Sequence, residues 1–414
     1  MNTRPRLLVL SHVLPFPRST GQQQRVFYSL QSLRAMFHLT FATTVADEDR
    51  QEVKTELAKI CDDVILLPSL YQGAVGKAKH RIIGTTKSLT AGLKFSNYLV
   101  GQLEFSSERL RSLLADSHFD CVLLEYWHAS NSMHVFRDKG IPCVLDMHNI
   151  LWQSYIQQLK AKSRQSLGVW NRFALARYKA QEENAWSQFD AVIAINKEEL
   201  KYVRAQVPET TEIFYGPMGT DLSLWPYSWN PGEAIRIGYY GGLSTPHNQR
   251  AALQCYNQIM PSVWSKYPQA ELWLIGSNPP DSLRALTTDD RVKVTGYIEH
   301  VQEVLQTMSL VVCPWSGTYG FRSRLIEVMA LGVPLVASSD AVNGMELEDG
   351  RGLLLGHNDS ELVHHVLHLL QDGSYSRHQS HLARVQVELS YSIDNTYGKL
   401  TDQLRTWLSE SSSN

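Results

Sequence analysis

The sequence has few cysteines, and their spacing matches no metal-binding or redox motif. Its 414 residues contain five cysteines, none of which forms a CxxC pair. Four of them lie in or beside apolar runs, which is typical of reduced cysteines in the core of a cytoplasmic protein. The five are Cys61, Cys121, Cys143, Cys255 and Cys313.

Long apolar runs and a strong net charge are also absent. No run approaches the length needed to span a bilayer, and the first residues, MNTRPRLLVLSH, enter a strand at once without the apolar region of a signal peptide. A net charge of −2 gives no general affinity for nucleic acid. We therefore expect a cytoplasmic protein, soluble or peripheral to a membrane, and its length suggests two domains of about 200 residues each.

Acidic residues are missing between Asp63 and Glu104, where basic and apolar residues are mixed. Such a segment is typical of a surface that rests on an anionic membrane, and it is equally typical of a solvated helix rim. Both interpretations stay open at this point. The basic residues of the segment are Lys77, Lys79, Arg81, Lys87 and Lys94.

Apolar runs alternate with helical segments in both halves of the chain, which predicts two parallel sheets. The predicted strands are 7–13, 39–45, 64–68, 121–126, 143–147, 191–195 and 212–215 in the first half, and 235–240, 271–275, 292–295, 310–314, 333–337 and 353–355 in the second. We expect Rossmann-like domains at 1–215 and 235–390, an irregular linker rich in Pro, Gly and Trp at 216–234, and a C-terminal helix with a frayed tail at 391–414.

The stretch 314–339 (PWSGTYGFRSRLIEVMALGVPLVASS) predicts a turn, a helix over 322–331 and a buried strand. Arg322 and Arg324 lie where the helix begins. A helix N-terminus with two guanidinium groups beside it suits a diphosphate better than a single carboxylate. One turn further, Glu327 is placed to accept hydrogen bonds from sugar hydroxyls.

Three other loops follow predicted strands, where open α/β sheets bind ligands. PFPRSTGQQQR places Gly21 and Arg25 where a ligand can approach backbone and guanidinium together, although a Pro-rich surface turn has the same composition. DMHN places His148 at a strand end, and Gly241 and Gly242 follow the first strand of the second half. We expect the site in the cleft between the domains. Three acidic residues of the long helix before strand 191–195 are expected to be solvated or interdomain: Glu182, Glu183 and Asp190.

Together these segments resemble the retaining GT-B glycosyltransferases, specifically family 4 with its "glycosyl transferases group 1" C-terminal domain. The resemblance rests on PFPRSTGQQQR, LDMHNILW, FDAVIAINKEEL, MGTDLSLW, IGSNPP, VKVTGYIEHVQEVL and GFRSRLIEVMALGVPLVAS, in the order and spacing of the family. Asn196 replaces the usual serine of the third segment, and Met218 the usual asparagine of the fourth.

The resemblance implies an α/β fold with two Rossmann-like domains facing each other across a cleft. It implies transfer of a hexosyl group from a nucleotide diphosphate sugar to a glycan or lipid-linked hydroxyl, with retained anomeric configuration, in polysaccharide or glycoconjugate biosynthesis. Neither a metal nor a cofactor is expected besides this co-substrate. The implied residues are His148, Arg322 and Arg324 for catalysis, Gly241, Gly242, Gly320, Phe321 and Glu327 for the donor, and Gly21 and Arg25 for acceptor or phosphate.

The sequence departs from the family at two donor-binding positions. Tyr319 stands where relatives carry the first glutamate of E-x7-E, and Gly241-Gly242…His247 replaces the usual G-R…K loop. The resemblance suggests that Arg322 and Arg324 supply the missing positive charge. Two alternatives remain: a GT-B-fold nucleotide-sugar epimerase, and a non-catalytic subunit that binds sugar or nucleotide.

Overall fold

The computed structural model describes residues 4–71, 73, 75, 76, 78, 79, 82, 83, 86, 102–115, 117–162, 168–317 and 321–411. The chain forms two compact units. The first combines Met1–Pro217 with Tyr397–Asn414, and the second is Met218–Thr396. The C-terminal helix, which the sequence sets apart from both domains, therefore belongs to the first unit.

The first unit contains a seven-stranded parallel sheet of order β3-β2-β1-β4-β5-β6-β7. Each strand predicted in this half is present, shifted by at most three residues at one end. The strands are β1 (Arg6–Leu10), β2 (His38–Val45), β3 (Asp63–Pro68), β4 (Cys121–Glu125), β5 (Cys143–Asp146), β6 (Ala191–Ala194) and β7 (Glu212–Tyr215). The helices between them are α1 (Gly21–Met36), α2 (Arg50–Ala58), α3 (Ser107–Ala115), α4 (His134–Arg137), α5 (Leu151–Lys162), α6 (Val169–Trp186) and α7 (Lys197–Arg204).

Polar side chains fix the beginnings of two helices that follow strand ends. Thr20 and Gln23 form a capping box at α1, so the helix starts at Gly21. Asn196 caps α7 by accepting the N–H of Glu198 at 2.8 Å. An asparagine caps a helix as well as a serine does, so this departure from the family motif keeps its structural role.

The second unit contains a six-stranded parallel sheet of order β10-β9-β8-β11-β12-β13, and every strand predicted here is present. A π-helical segment at Cys255–Ile259 separates helices α8 and α9, and Pro261, near the start of α9, lacks an N–H. The strands are β8 (Arg236–Tyr240), β9 (Glu271–Ile275), β10 (Val292–Gly296), β11 (Leu310–Cys313), β12 (Leu335–Ser338) and β13 (Leu353–Gly356). The helices are α8 (Pro246–Gln254), α9 (Met260–Lys266), α10 (Asp281–Arg284), α11 (Val301–Leu305), α12 (Ser323–Ala330), α13 (Asp359–Gln371) and α14 (Gly373–Ser390).

Each sheet has apolar side chains packed on both faces, as expected for parallel strands covered by helices. All five cysteines are buried in these cores and unpaired, which confirms the prediction from their apolar surroundings. The last helix, α15 (Lys399–Ser411), buries Leu400, Leu404 and Leu408 in a core of the first unit.

The strand orders place ligand-binding loops in defined positions. In an open parallel sheet, the crevice for a ligand lies at the carboxyl ends of the two strands between which the chain order reverses. These strands are β1 and β4 in the first sheet, and β8 and β11 in the second. The Gly241-Gly242 loop follows β8, and the stretch beginning at Pro314 follows β11, so two segments singled out from the sequence meet at one switch point.

Two glycines between β12 and β13 provide a matched test of packing. Gly350 and Gly352 have φ angles of 78° and 83°, so an alanine is strained at either position. A Cβ on Gly352 would lie 2.1 Å from the Cα of Ala383 in α14, whereas a Cβ on Gly350 would meet no atom within 4 Å.

We expect Gly350→Ala to lower the free energy of unfolding by about 1–2 kcal/mol through backbone strain alone. Gly352→Ala adds the cost of forcing α14 away, for a total loss of about 2–5 kcal/mol. Chemical denaturation of the two variants measures the difference, and equal losses would show that α14 yields without cost.

Candidate functional site

A cavity of about 190 Å³ opens at the switch point of the second sheet. Its walls come from the ends of β8 and β11 and from the start of α12. The lining residues are Tyr240, Gly241, Gly242, Asn248, Cys313, Trp315, Phe321, Arg322, Ser323, Arg324 and Leu325.

Arg322 is the most strongly constrained charge of this cavity. Arg322 is only 6% exposed. Its guanidinium lies 4.2 Å from the centre of the Trp315 ring, and its Nη2 donates to the carbonyl of Gly317 at 2.9 Å. Its Nε and Nη1 are buried and have no hydrogen-bond partner among the described residues. Burial lowers the pKa of Arg322, yet an arginine stays charged at neutral pH. Buried polar groups are usually hydrogen-bonded, so these N–H groups form a candidate binding position for an anion.

A chain of hydrogen bonds fixes the glycine loop opposite Arg322. Trp315 Nε1 donates to the Tyr239 hydroxyl at 2.9 Å, and this hydroxyl donates to Asn248 Oδ1 at 2.8 Å. Asn248 Nδ2 in turn donates to the carbonyl of Gly242 at 2.8 Å. A Cβ on Gly241 would lie 3.2 Å from atoms of both Asn248 and Tyr239, so this position accommodates glycine best.

Glu327 forms a second buried group beside the cavity with Tyr240 and Arg324. Its Oε2 accepts from the Tyr240 hydroxyl at 2.9 Å and lies 3.4 Å from Arg324 Nη1, which also contacts that hydroxyl. The Arg324 guanidinium lies 4.4 Å from the centre of the Tyr240 ring, and its side chain is 45% exposed. Burial raises the pKa of Glu327, and the Arg324 charge and the Tyr240 hydrogen bond oppose the rise. Its Oε1 accepts no hydrogen bond from the described part of the chain.

Most of the donor-side residues expected from the sequence are thus gathered in one place. Gly320 and Tyr319 lie outside the described residues. His247 packs edge-on against Trp315 at 4.7 Å, and its pKa is lowered by burial and then by Arg250 and Arg322. The cavity lining contains Gly241, Gly242, Phe321, Arg322 and Arg324, and Glu327 adjoins it.

Sequence reasoning missed Tyr240, Asn248 and Trp315. An aromatic residue at the end of an apolar strand is interpreted as core, although here it orients a guanidinium. Their positions in the sequence could have indicated them. Tyr240 directly precedes Gly241, and Trp315 directly follows Pro314 at the end of a predicted strand.

The first unit contains a separate polar cluster at the ends of β4 and β5. His148 has a φ of 57°, a left-handed conformation that is uncommon for residues other than glycine, and its N–H lies 3.3 Å from Asp146 Oδ1. Its Nε2 pairs with Glu125, and its ring stacks on Tyr126 at 4.2 Å. Its Nδ1 makes no hydrogen bond to a described residue. Burial, and then the neighbouring His148, lower the pKa of His12 to about 4, so His12 is neutral at pH 7.

Arg25 does not have the environment expected of a phosphate ligand. Its Nε and Nη2 bind the two oxygens of Asp146 at 2.9 and 2.8 Å, and its Nη1 donates to the carbonyl of Gly216 at 2.8 Å. Both side chains of this ion pair are 1% exposed. The expectation of a phosphate contact at Arg25 is corrected here, because the guanidinium is enclosed and its donors are taken. Gly21 lies exposed at the first residue of α1.

Glu125, Asp146 and His148 have ligand atoms within 4.8 Å of one another, which is close enough to hold a cation. The structure neutralises them in another way. Asp146 is bound through both oxygens by Arg25, and Glu125 pairs with His148. Burial raises the pKa of Glu125, and His148 opposes the rise. A metal would have to displace Arg25 from Asp146, so we assign these groups to internal pairing.

Glu182, expected to be solvated or interdomain, is fully buried. Its two oxygens accept the N–H groups of Leu151 and Trp152 at 2.8 and 2.7 Å, at the beginning of α5. A carboxyl group at a helix N-terminus can accept hydrogen bonds from N–H groups that have no partner within the helix. Glu199 reaches the N–H of Ile150 at 3.4 Å, so two carboxyl groups hold the segment that follows His148.

The remaining two acidic residues are less enclosed than Glu182. Glu183 is partly buried and accepts the Tyr202 hydroxyl, whereas Asp190 is exposed and accepts the N–H of Cys143 at 2.8 Å. Each therefore has a local structural partner.

Comparison with known proteins agrees with this architecture. Residues 234–372, most of the second unit, match the family model described as "Glycosyl transferases group 1". Among solved structures, the chain is similar to sucrose-phosphate synthase from Thermosynechococcus elongatus, with 16% identity, a TM-score of 0.67, and coverage of 98% of this chain and 100% of that one.

Two further solved structures show the same architecture. HepE from Anabaena, solved with UDP, has 15% identity and a TM-score of 0.62, with 97% of this chain and 100% of that one covered. TarM has 13% identity and a TM-score of 0.64, with 97% and 99% covered. These likenesses confirm the expected GT-B fold. No curated protein matches the chain by sequence. Within the described residues, no helix has the length and apolar content to cross a membrane.

The two buried carboxyl groups behind His148 generate a prediction about pH. Burial raises the pKa of both Glu182 and Glu199 to about 8. The folded chain then keeps two protons that the unfolded chain releases above its own pKa of about 4.5. The resulting stability is fully present below about pH 4.5 and is lost as the pH rises through about 8, on the order of a few kcal/mol for each group.

We expect Glu199→Gln to make thermal stability less dependent on pH between 6 and 9, because an amide carries no proton to lose. Glu199 is the better position, since its Oε2 has no partner among the described residues. Glu198→Gln, at an exposed neighbouring position of α7, is the control and should follow the wild type. A parallel pH profile of Glu199→Gln and wild type would contradict the assignment.

Proposed function

We propose that this protein is a glycosyltransferase that moves a sugar from a nucleoside diphosphate sugar to a hydroxyl group of a glycan or lipid-linked acceptor. The observation that carries the proposal is the buried Arg322 guanidinium, whose Nε and Nη1 have no partner among the described residues and which lines a cavity at the switch point of the second sheet. The cavity lies inside the segment that matches the glycosyl transferases group 1 model.

Arg322 and Arg324 are assigned to the diphosphate. When the bond from the anomeric carbon to the phosphate oxygen breaks, its electron pair stays on the diphosphate and the sugar becomes cationic. Fixed positive charge stabilises that leaving group without reorganisation at the moment of reaction, and one such contact is worth about 2–4 kcal/mol. The acceptor oxygen then bonds to the anomeric carbon, and its proton leaves with the diphosphate. With charge supplied by two arginines, the proposal needs no metal.

Glu327 is assigned to the hydroxyl groups of the donor. Its Oε2 is held by Tyr240 and Arg324, which leaves Oε1 to accept from a ribose. We assign His148 to the transferred sugar, because its strand-end position is fixed by Asp146 and Glu125 while Nδ1 has no hydrogen bond to a described residue. Gly21, exposed at the start of α1, is assigned to the acceptor or donor phosphate.

We further propose retention of anomeric configuration, as in family 4, and a role in the synthesis of polysaccharides or glycoconjugates. A lipid-linked acceptor requires contact with a membrane, and the acid-free segment between Asp63 and Glu104 is proposed to provide it. Val75, Lys79 and Ile82 are exposed in this segment. Lys77, Arg81, Lys87 and Lys94 lie outside the described residues.

Binding of a nucleoside diphosphate tests the donor site directly. HepE has been solved with UDP and with UDP-glucose, so UDP is the first probe, followed by other nucleoside diphosphates. We expect Arg322→Gln to weaken binding about 10- to 100-fold in isothermal titration, because a charged hydrogen-bond donor is lost. Arg291→Gln is the matched control, since Arg291 lies in the same unit and pairs with Asp289 at the surface. Unchanged affinity in Arg322→Gln would refute the site.

Turnover tests the reaction itself, with labelled nucleotide sugars and glycan or lipid-linked acceptors. We expect Arg324→Ala to lower kcat/KM about 10²- to 10³-fold, because a charge beside the leaving group is lost. Glu327→Ala should lower it about 10- to 100-fold, because a charged hydrogen bond to the donor is lost. The anomeric configuration of the product, measured by NMR, tests retention. A nucleotide sugar epimerised without acceptor would identify an epimerase instead, and binding without turnover on any acceptor would identify a non-catalytic subunit.

A further inference from the structure

Helix α6 displays apolar side chains that are exposed to solvent among the described residues of the first unit. Val169, Trp170 and Phe173 are 81%, 84% and 54% exposed, although all three lie within two turns of one helix. A helix face in contact with water normally carries polar side chains, and clustered exposed apolar residues mark a site of interaction. We call this set, together with Arg172 and Arg177, the α6 surface.

The other half of α6 is firmly anchored, so the α6 surface is presented by a rigid element. Tyr178 is fully buried between the rings of Trp127 and Tyr155, at 5.5 and 5.7 Å. Trp186 is also fully buried, and Glu182 binds the beginning of α5. The helix is therefore fixed by its C-terminal half and projects its N-terminal half to solvent.

The charge of the region identifies the kind of partner. Residues 147–181 contain no Asp or Glu, and their basic residues are Lys160, Lys162, Arg164, Arg172, Arg177 and Lys179. The Arg177 guanidinium lies 5.7 Å from the centre of the Phe173 ring, so positive charge sits directly beside the apolar group. A second copy of this chain docking through the same face would bring like charges together.

We propose that the α6 surface docks onto an anionic lipid surface. Trp and Phe on one helix face, flanked by Arg and Lys, are the composition with which a helix lies in the boundary between headgroups and acyl chains. Arg172 and Arg177 pair with lipid phosphates while Trp170 and Phe173 enter the apolar boundary. The inference deepens the membrane contact proposed with the function, and it assigns that contact to residues outside the segment between Asp63 and Glu104.

Co-sedimentation of the full chain with vesicles tests the inference. The vesicles contain phosphatidylcholine with or without phosphatidylglycerol. We expect binding only to the anionic vesicles, weakened by salt, and reduced about tenfold or more in Trp170→Ala/Phe173→Ala through loss of apolar contact. Tyr297→Ala, which removes an aromatic residue 77% exposed in the second unit, is the control and should bind as wild type. Because the replaced side chains face solvent, circular dichroism should show unchanged folding.

The other outcomes separate the possible sources of failure. Binding that survives Trp170→Ala/Phe173→Ala and Arg172→Glu/Arg177→Glu, but is lost in Lys79→Glu/Ile82→Ala, would overturn the α6 surface and leave the proposed membrane contact intact. If the wild-type protein does not bind anionic vesicles, both the α6 surface and the proposed membrane contact are overturned. A wild-type dimer that Trp170→Ala/Phe173→Ala converts to a monomer, without vesicle binding, would show that the partner is a second copy. UDP binding, measured in parallel, reports on the proposed function independently.

Discussion

The first unit depends on the buried ion pair between Arg25 and Asp146. Two charges that are each 1% exposed are stable in a protein interior only when their geometry and remaining hydrogen bonds are satisfied. Asp146 is bound through both oxygens, and Arg25 uses its third nitrogen on the carbonyl of Gly216. The pair therefore connects α1, the end of β5 and the residue after β7. The same carboxylate accepts the N–H of His148 and holds that residue in its left-handed conformation.

Arg322 in the second unit is also a buried arginine, but its hydrogen bonding differs from that of Arg25. Arg25 leaves no nitrogen for a ligand, whereas Arg322 has one hydrogen bond, one aromatic contact and two N–H groups without partners in the described structure. An enclosed guanidinium costs desolvation whether or not it is paired. When a buried guanidinium has incomplete hydrogen bonding in the free protein, binding of an anion supplies the missing partners and offsets the desolvation cost. This difference, rather than the presence of arginine in a glycine-rich loop, separates a structural arginine from a candidate ligand-binding one.

The sequence was sufficient for the strands and for the donor-side loops, because both depend on local pattern. Apolar runs buried on two faces stand out, and helix α12 begins one residue from the predicted position. Local patterns do not reveal which side chains pair when their residues are far apart in the sequence. The sequence predicts an acceptor or phosphate contact for Arg25, because the actual partner Asp146 is 121 residues away. It predicts a solvated or interdomain Glu182, because the helix start that this residue caps belongs to a different segment. Trp315 and Tyr240 were missed because aromatic residues at strand ends usually belong to the core.

The placement of acidic residues links the interior of the first unit to its surface. The first unit contains 28 Lys and Arg against 23 Asp and Glu, a modest excess of positive charge. Five of the acidic side chains are buried in the described part of this unit, against a single Lys or Arg, Arg25. The five are Glu104, Glu125, Asp146, Glu182 and Glu199.

The exposed surface of the first unit is therefore more basic than the composition of its sequence indicates. Helix α6 shows how this arises within one element. Its buried half turns Glu182 inward to satisfy backbone N–H groups of α5, while its exposed half carries Arg172 and Arg177 in a stretch, 147–181, whose sequence contains no Asp or Glu. A carboxyl group that is buried as an internal cap cannot neutralise basic side chains at the surface, so the inward placement of Glu182 leaves the positive charge of the α6 surface uncompensated within its own helix segment.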